Sequence, residues 1–277
     1  MSTVTIDAKQ VAALREKTGA GLLKCREALV ATSGAMEAAI DLLRAQGAAG
    51  AAKKADRAAN EGLIAQAILP GAKVGLLLEV NCETDFVAKN ESFQAQTAAW
   101  AKTLAENPAA DLEASRIEVV TKIGENIKLR RHARIEVAGS GVVAAYIHLG
   151  GKIGVLLEVG ATKDETTETE AFKQLVRDIT LHIAAAKPIS LRRDDVPVEL
   201  ADRERAIFRE KAKDKPEKMI DGIVEGMMRK FYAENCLLDQ AFVKNPDQSI
   251  TALVADTGKA LGDTLEVRRF VRYQVGE

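Results

Sequence analysis

The sequence of 277 residues is poor in cysteine, histidine and aromatic residues, with three cysteines, three histidines and 4% aromatics. Cys25, Cys82 and Cys236 lie far apart and form no Cys-x-x-Cys pair, which argues against a disulfide framework and against a structural zinc site. No histidine stands beside Cys or Asp at ligand spacing. We therefore expect no metal centre and no cofactor, and we expect the cysteines to be small buried side chains.

Excess charge and long apolar runs are also absent. The 39 basic and 40 acidic residues give a formal net charge of −1, so no net field would draw the molecule to nucleic acid or to an anionic membrane. No stretch approaches the roughly 18 apolar residues of a membrane-spanning helix, and the N-terminus lacks the apolar segment of a signal peptide. We expect a soluble, cytoplasmic protein that recognises its partner by shape and local chemistry.

Motifs of the common enzyme classes are missing as well. The sequence has no Gly-x-Ser-x-Gly elbow, no Gly-x-x-x-x-Gly-Lys phosphate loop and no dinucleotide-binding glycine pattern. Glu83 and Asp85 could share one face of an extended loop as a carboxylate pair, but the sequence supplies no nucleophile or positioned base beside them. We expect a binding protein and not an enzyme, with a small-molecule enzyme that uses this pair as an alternative.

A duplicated segment is the most informative feature that is present. Residues 73–80 read KVGLLLEV and residues 152–159 read KIGVLLEV, a shift of 79 that also maps Phe93 onto Phe172. The first copy continues into a polar and aromatic loop at 81–90, whereas the second continues into a plain charged loop at 160–165. Two equal scaffolds with unequal loops indicate that the loop at 81–90 is the working part.

The helix and strand signals predict an α+β fold in which antiparallel sheets carry helices on one face. The first helix should begin after Asp7, which can form a capping box with Gln10. The small, basic stretch 47–57 is interpreted as a linker, in preference to an RNA contact, because no aromatic residue is interleaved with its charges. We expect five parts: a helical bundle with its linker at 1–52, one core subdomain at 53–139, the first part of a second at 140–189, a protruding antiparallel helical hairpin at 190–228, and the rest of the second subdomain with the final strand at 229–277.

The residues Thr84, Asp85, Phe86 and Val87 place a carboxylate beside a large apolar ring directly after a predicted strand. If the ring projects outward, the pair forms a wedge that can enter another protein. If the ring folds inward, Phe86 anchors the loop and Asp85 caps a turn or helix. Residue types alone favour the second interpretation.

Four spaced motifs change that balance: TGAGLLKCREAL at 18–29, NCETDFVA at 81–88, KIGENI at 122–127, and Arg130-Arg131. Together they resemble bacterial translation elongation factor Ts, and the match runs in order from residue 5 to 277. The resemblance implies a ubiquitin-associated-like N-terminal bundle, a core of two related halves and a protruding helical hairpin. It also implies guanine nucleotide exchange on elongation factor Tu, with a ubiquitin-associated-like adaptor that lacks exchange activity as the alternative.

By that resemblance, Asp85 and Phe86 enter elongation factor Tu beside its magnesium and phosphate site, and Thr84 and Val87 fix them. Magnesium is then the partner's ion. The other partner-binding positions that the resemblance implies are Leu14, Leu22, Leu23, Ile127, His148, Phe242 and Val243. Leu14 fits the core of the bundle equally well.

The oligomeric state stays open on the sequence: the hairpin can make a homodimer, a two-plus-two complex with the partner, or neither. Enteric relatives continue into a C-terminal helical module that has no counterpart after residue 275. We therefore expect more of the affinity to rest on the bundle and the core.

Overall fold

The computed structural model describes residues 6–277. Residues 1–5, with which the predicted bundle at 1–52 begins, lie outside the described residues. The fold is α+β, as the sequence predicts, with eleven α-helices and eight strands in the described part. The helices are α1 (Ala8–Thr18), α2 (Leu22–Ala31), α3 (Met36–Lys54), α4 (Asp85–Ala88), α5 (Glu91–Glu106), α6 (Glu113–Ile123), α7 (Asp164–Glu168), α8 (Glu170–Ala186), α9 (Val198–Lys211), α10 (Glu217–Asn235) and α11 (Ile250–Leu261). The strands are β1 (Glu61–Ile68), β2 (Val74–Cys82), β3 (Lys128–Glu136), β4 (Gly141–His148), β5 (Ile153–Ala161), β6 (Ala241–Phe242), β7 (Asn245–Ser249) and β8 (Leu265–Gln274).

Two antiparallel three-stranded sheets form the core, in the orders β1-β2-β3 and β4-β5-β8. One face of each sheet packs against the other sheet, and the opposite faces are covered by α5 and α8. The central strands β2 and β5 are therefore buried on both faces, which explains their nearly continuous apolar sequences. Gly75 and Gly154 lie where one sheet contacts the other: a Cβ on Gly154 would come within 2.5 Å of Ile64.

The duplication extends further than the sequence indicates. At the shift of 79 residues, β2, α4 and α5 correspond to β5, α7 and α8. At a second shift of 138 residues, α6 and β3 correspond to α11 and β8, and Gly124 and Gly262 end equivalent helices with φ of 88° and 62°. The two shifts differ by 59 residues, which is the length inserted in the second half, where the α9–α10 hairpin lies.

Three expectations are corrected by this arrangement. The loop predicted at 81–90 contains the short helix α4 at Asp85–Ala88. The charged loop predicted at 160–165 in fact leads into α7, whose N-terminal Asp164 and Glu165 suit the positive end of a helix. The linker predicted at 47–57 is helical as far as Lys54. Its alanines are strong helix formers, and Gly47 and Ala51 are buried, Gly47 against α6, so the stretch is a packing face.

Helices α1, α9 and α10 agree with the sequence pattern. Asp7 and Gln10 form the predicted capping box at the start of α1: the N–H of Asp7 donates to the Gln10 side chain at 3.2 Å, and the Asp7 carboxylate also accepts from the N–H of Lys9 at 3.2 Å. Helices α9 and α10 pack side by side through a small apolar cluster as the predicted hairpin, although α10 continues beyond residue 228 to Asn235. All three cysteines are buried and free, as expected.

Candidate partner-binding site

Phe86 is the most exposed large apolar side chain among residues 6–277, with 81% of its surface accessible. It is the second residue of α4, which begins directly after the turn that ends β2. On the opposite side of this short helix, Val87 and the buried Ala88 pack against the core of the first half. The interpretation in which the ring folds inward is therefore wrong for this chain. We call Asp85 and Phe86 the tip of α4.

Glu125 holds the residues that precede the tip. Its Oε2 accepts hydrogen bonds of 3.0 Å from the backbone N–H groups of both Glu83 and Thr84. Its Oε1 accepts a hydrogen bond of 2.6 Å from the Thr84 hydroxyl. The Thr84 oxygen in turn caps α4 by accepting from the N–H of Val87 at 3.4 Å, so the helix is capped by Thr84 and not by Asp85.

Two further contacts secure the same turn. The Cys82 thiol donates to the carbonyl of Thr84 at 3.1 Å. Burial raises the pKa of this thiol to about 12, with a further contribution from Glu125, so it stays protonated and able to donate at neutral pH. Glu83 accepts a hydrogen bond of 2.6 Å from the N–H of Asn126. The loop at 81–90 and the motif at 122–127 thus form one structural unit.

The tip carries one charge. Asp85 accepts a hydrogen bond of 2.6 Å from the Lys89 ammonium one turn later, and this contact lowers the pKa of Asp85, which is therefore ionised at neutral pH. Glu83 points elsewhere, to Asn126 and to Arg57 at 3.4 Å. The carboxylate pair required by the enzyme alternative is not formed, because the two carboxylates have different partners.

The second half contains an equivalent support without an equivalent ring. Asp263, the counterpart of Glu125, accepts hydrogen bonds from the N–H groups of Thr162 and Lys163 at 3.1 and 3.2 Å, and from the Thr162 hydroxyl. The Thr162 hydroxyl is the main cause of a lowered pKa at Asp263. The residue at the position of Phe86 is the exposed Glu165. The support thus belongs to the duplicated unit, whereas the aromatic tip belongs only to the first copy.

The other predicted contact residues divide into exposed and buried groups. Leu22 and Leu23 are 53% and 67% exposed at the start of α2, where they form an apolar surface of the bundle. His148 is exposed at the end of β4, with its Nδ1 3.0 Å from the Tyr146 hydroxyl, and Val243 is nearly half exposed.

Three predicted contact residues are buried in the chain's own cores. Leu14 lies fully inside the bundle, where α1 turns its apolar face toward α2 and α3. Ile127 lies fully inside the first half, and Phe242 packs in the second half near the ring of His182. Each of these side chains packs inside a hydrophobic cluster, so it lies beneath the surface of the free chain.

Sequence reasoning missed Glu125 as a site residue, although the motif that contains it was recognised. The available signal was the order Gly124-Glu125-Asn126 between a helix and a strand, because a glycine with positive φ ends the helix and turns the next side chains back toward the core.

The comparisons with known proteins point to one family. The family model "Elongation factor TS" matches residues 83–277, which include the tip, its support and the hairpin. The chain is 44% identical to elongation factor Ts of Syntrophotalea carbinolica, over 98% of this chain and 93% of the relative. It is 44% identical to that of Bdellovibrio bacteriovorus and 40% identical to that of Clostridium novyi, again over at least 98% of this chain and 93% of each relative.

The chain belongs to the elongation factor Ts family. The resemblance stated from four motifs is thereby confirmed over nearly the whole length. Membership of the elongation factor Ts family makes the chain a translation elongation factor of the nucleotide-exchange type. Within residues 6–277, no helix combines the length and the apolar character that crossing a membrane requires.

Proposed function

We propose that the chain promotes GDP release from elongation factor Tu by inserting the tip of α4, Asp85 and Phe86, near the partner's magnesium and phosphate site. The observation that carries the proposal is the 81% exposed ring of Phe86 on a turn held by hydrogen bonds from a separate part of the chain. An exposed ring on a firmly held turn loses little conformational freedom on binding, which favours its use as an anchor.

The physical requirement for exchange is differential binding. A factor that binds the GDP-bound and the nucleotide-free partner equally well shifts no equilibrium. Insertion of the tip must therefore compete with contacts that the partner makes to magnesium and phosphate. Loss of about 4 kcal/mol of such contacts would speed GDP dissociation about a thousandfold.

Asp85 is suited to such a step because its present partner is easily exchanged. Its ion pair with Lys89 lies at the surface, and exposed pairs of this kind contribute little to stability. An ionised carboxylate accepts hydrogen bonds from positively charged or N–H groups, and repels phosphate. Asp85 therefore supplies a charge that can rearrange the partner's site, while Phe86 supplies the apolar contact area.

The exposed Leu22 and Leu23 form a second proposed contact, with the nucleotide domain of elongation factor Tu. His148 and Val243 are proposed contacts on the core. We also propose that the chain acts in the cytoplasm, without binding nucleic acid. A homodimer or a two-plus-two complex through the hairpin stays a prediction, for which sedimentation of the free and mixed proteins is the measurement.

The direct test is the release of a fluorescent GDP analogue from preloaded elongation factor Tu at catalytic amounts of the chain. The chain should accelerate release, and Phe86→Ala should reduce the acceleration about tenfold or more, since burying an aromatic ring is worth about 1.5–3 kcal/mol. The melting temperature should not change, because the ring contacts almost nothing in the free chain. Glu165→Ala, at the equivalent position of the second half, is the matched control.

Two results would contradict the proposal. Equal release rates for Phe86→Ala and the unaltered chain would refute insertion of the ring. Formation of a complex without any acceleration would favour the adaptor alternative.

A further inference from the structure

We infer that Glu125 is a positioning residue for nucleotide exchange, which fixes the direction of the tip by binding the turn before it. The inference rests on the proposed function, since it assigns a role within the same site. It concerns a residue that contacts the tip only through Glu83 and Thr84.

Helix α4 cannot set its own direction. It comprises only four residues, and its backbone contributes few hydrogen bonds, notably from the N–H of Ala88 to Thr84 at 3.3 Å and from the N–H of Lys89 to Asp85 at 3.0 Å. Isolated helices much shorter than about 12 residues are not stable in water. The orientation of Phe86 must therefore come from contacts outside the helix.

Val87 and Ala88 pack on the core, and among the described residues Glu125 supplies the most side-chain hydrogen bonds to the turn before α4. Its two oxygens accept three hydrogen bonds from consecutive residues, two from backbone N–H groups and one from a hydroxyl. Hydrogen bonds to an ionised acceptor are about twice as strong as those between neutral groups. Because both oxygens are used within the chain, Glu125 acts on the turn and need not touch the partner.

The second half provides independent support for this role. Asp263 binds the equivalent turn with the same three types of donor, although the residue that corresponds to Phe86 is Glu165. In both halves, a carboxylate at this position binds the turn that precedes a short helix. The shorter side chain of Asp263 makes the same kinds of hydrogen bond as Glu125. Removing the carboxylate should therefore slow exchange in the first half, at Glu125, where the turn precedes Phe86, but not in the second half, at Asp263.

The experiment compares Glu125→Gln, Glu125→Asp and Thr84→Val with the control Asp263→Asn. Glutamine preserves the volume and one acceptor oxygen, but its NH2 group cannot accept from the Thr84 hydroxyl or the N–H groups. We expect Glu125→Gln to lower the GDP release rate at saturating factor about tenfold, with a smaller change in affinity for nucleotide-free elongation factor Tu. Glu125→Asp should recover part of the rate, and Asp263→Asn should leave it unchanged.

Hydrogen exchange at the amides of Glu83 and Thr84 provides the readout that general destabilisation would not produce. These two amides should exchange faster in Glu125→Gln, while amides in the strand β2 keep their protection. If Glu125→Gln lowers the melting temperature so far that the rate cannot be interpreted, Thr84→Val replaces it. Where Glu125→Gln stays folded, the double variant should be slowed by less than the product of the two single effects, because both single variants remove the hydrogen bond between Thr84 and Glu125.

The outcomes separate the inference from the proposed function when Phe86→Ala is measured in parallel. If Phe86→Ala slows release but Glu125→Gln and Thr84→Val do not, the positioning role is refuted and insertion of the ring stands. If Asp263→Asn slows release as much as Glu125→Gln, the effect is one of stability, and the positioning role is again refuted. If Phe86→Ala has no effect, insertion of the ring is refuted and the role of Glu125 with it.

Discussion

Glu79 and Glu158 occupy equivalent positions in the two halves, and each buried carboxylate binds two consecutive arginines of the neighbouring strand. Glu79 lies 2.9 and 2.6 Å from the pair Arg130-Arg131, and Glu158 lies 3.2 and 2.6 Å from the pair Arg268-Arg269. Consecutive strand residues normally point to opposite faces, but the register shifts directly after each glutamate. The bulge lets both arginines of a pair reach one carboxylate.

Removal of Glu79 should strongly destabilise the first half. Its side chain is fully buried, whereas Arg130 and Arg131 are 39% and 34% exposed, so Glu79→Ala removes their shared partner but leaves both arginines in contact with water. We expect a loss of about 1.5–3 kcal/mol in the free energy of unfolding, measured by urea denaturation, because hydrogen bonds to a charged group are lost. Glu136→Ala in the same sheet is the control, because Glu136 pairs with Arg134 at the surface and an exposed pair contributes at most about 1 kcal/mol. Equal losses for the two variants would contradict this prediction.

Replacement of Leu22 and Leu23 by serine should weaken the complex with elongation factor Tu without destabilising the bundle. Both side chains are more than half exposed, so the free chain loses little buried apolar surface. We expect the dissociation constant to rise about tenfold or more, since each buried leucine is worth about 1.5–3 kcal/mol. Titration calorimetry measures the affinity, and the exposed Val30 of the same helix, as Val30→Ser, is the control. An unchanged dissociation constant would remove this surface from the interface.

Leu14→Ala should behave in the opposite way. Leu14 is fully buried in the bundle, so its truncation should cost about 2–5 kcal/mol of stability through lost packing and a residual cavity. Any loss of affinity should then follow the unfolding of the bundle and disappear at temperatures where the variant is folded. Circular dichroism and calorimetry on the same samples check this. A weakened complex with a fully folded bundle would show that Leu14 itself contacts the partner.

Alanine should have opposite effects at Gly47 and Gly50 of α3. Alanine is favoured over glycine within helices by about 1 kcal/mol, and Gly50→Ala meets no close neighbour, so it should stabilise the protein. At Gly47, however, the new Cβ would lie 2.8 Å from the Oγ1 of Thr121, and Gly47→Ala should destabilise it. In a Thr121→Ala background the effect of Gly47→Ala should change sign. Thermal unfolding of Gly50→Ala, Gly47→Ala, Thr121→Ala and the double variant checks these expectations against the unaltered chain. Stabilisation by the single substitution Gly47→Ala would refute close packing of α3 on α6.

The Cys82 thiol should make the free energy of unfolding fall as the pH rises above about 9. Its pKa in the folded chain is about 12, above the ordinary value of 9.0, so the folded chain keeps a proton that the unfolded chain loses. The resulting stabilisation is complete below pH 9 and is lost as the pH rises toward 12. Cys82→Ser should lose less stability than the unaltered chain between pH 8 and pH 10 in urea denaturation, while Cys236, whose pKa burial raises to about 11, keeps part of the dependence in both proteins. An identical loss of stability in both proteins would assign the effect to other groups.

The sequence predicted helices and strands well where neighbouring residues mark their ends. Apolar runs predict strands near 62–69, 74–80, 142–149 and 153–159, with turns at Pro70-Gly71 and Gly150-Gly151 between them. The strands β1, β2, β4 and β5 lie within two residues of these bounds. No elements were predicted for β6, β7 and α11, and the linker before β1 was wrong. Its alanines are a local helix signal, whereas the packing of Gly47 on Thr121 is a contact with a different part of the chain that the sequence does not show.

By itself, the sequence determined the duplicated unit, the elongation factor Ts family and the residues Asp85 and Phe86 as the distinguishing part of the first copy. These features are patterns of residue type and spacing along the chain, so they can be identified without knowing the fold. Only the tertiary structure decided that Phe86 points outward and that Glu125 holds the turn behind it. Thr84 and Glu125, which make this contact, are 41 positions apart in the sequence. Their hydrogen bond forms because antiparallel pairing of β2 with β3 brings the turn after β2 and the turn before β3 to the same end of the sheet.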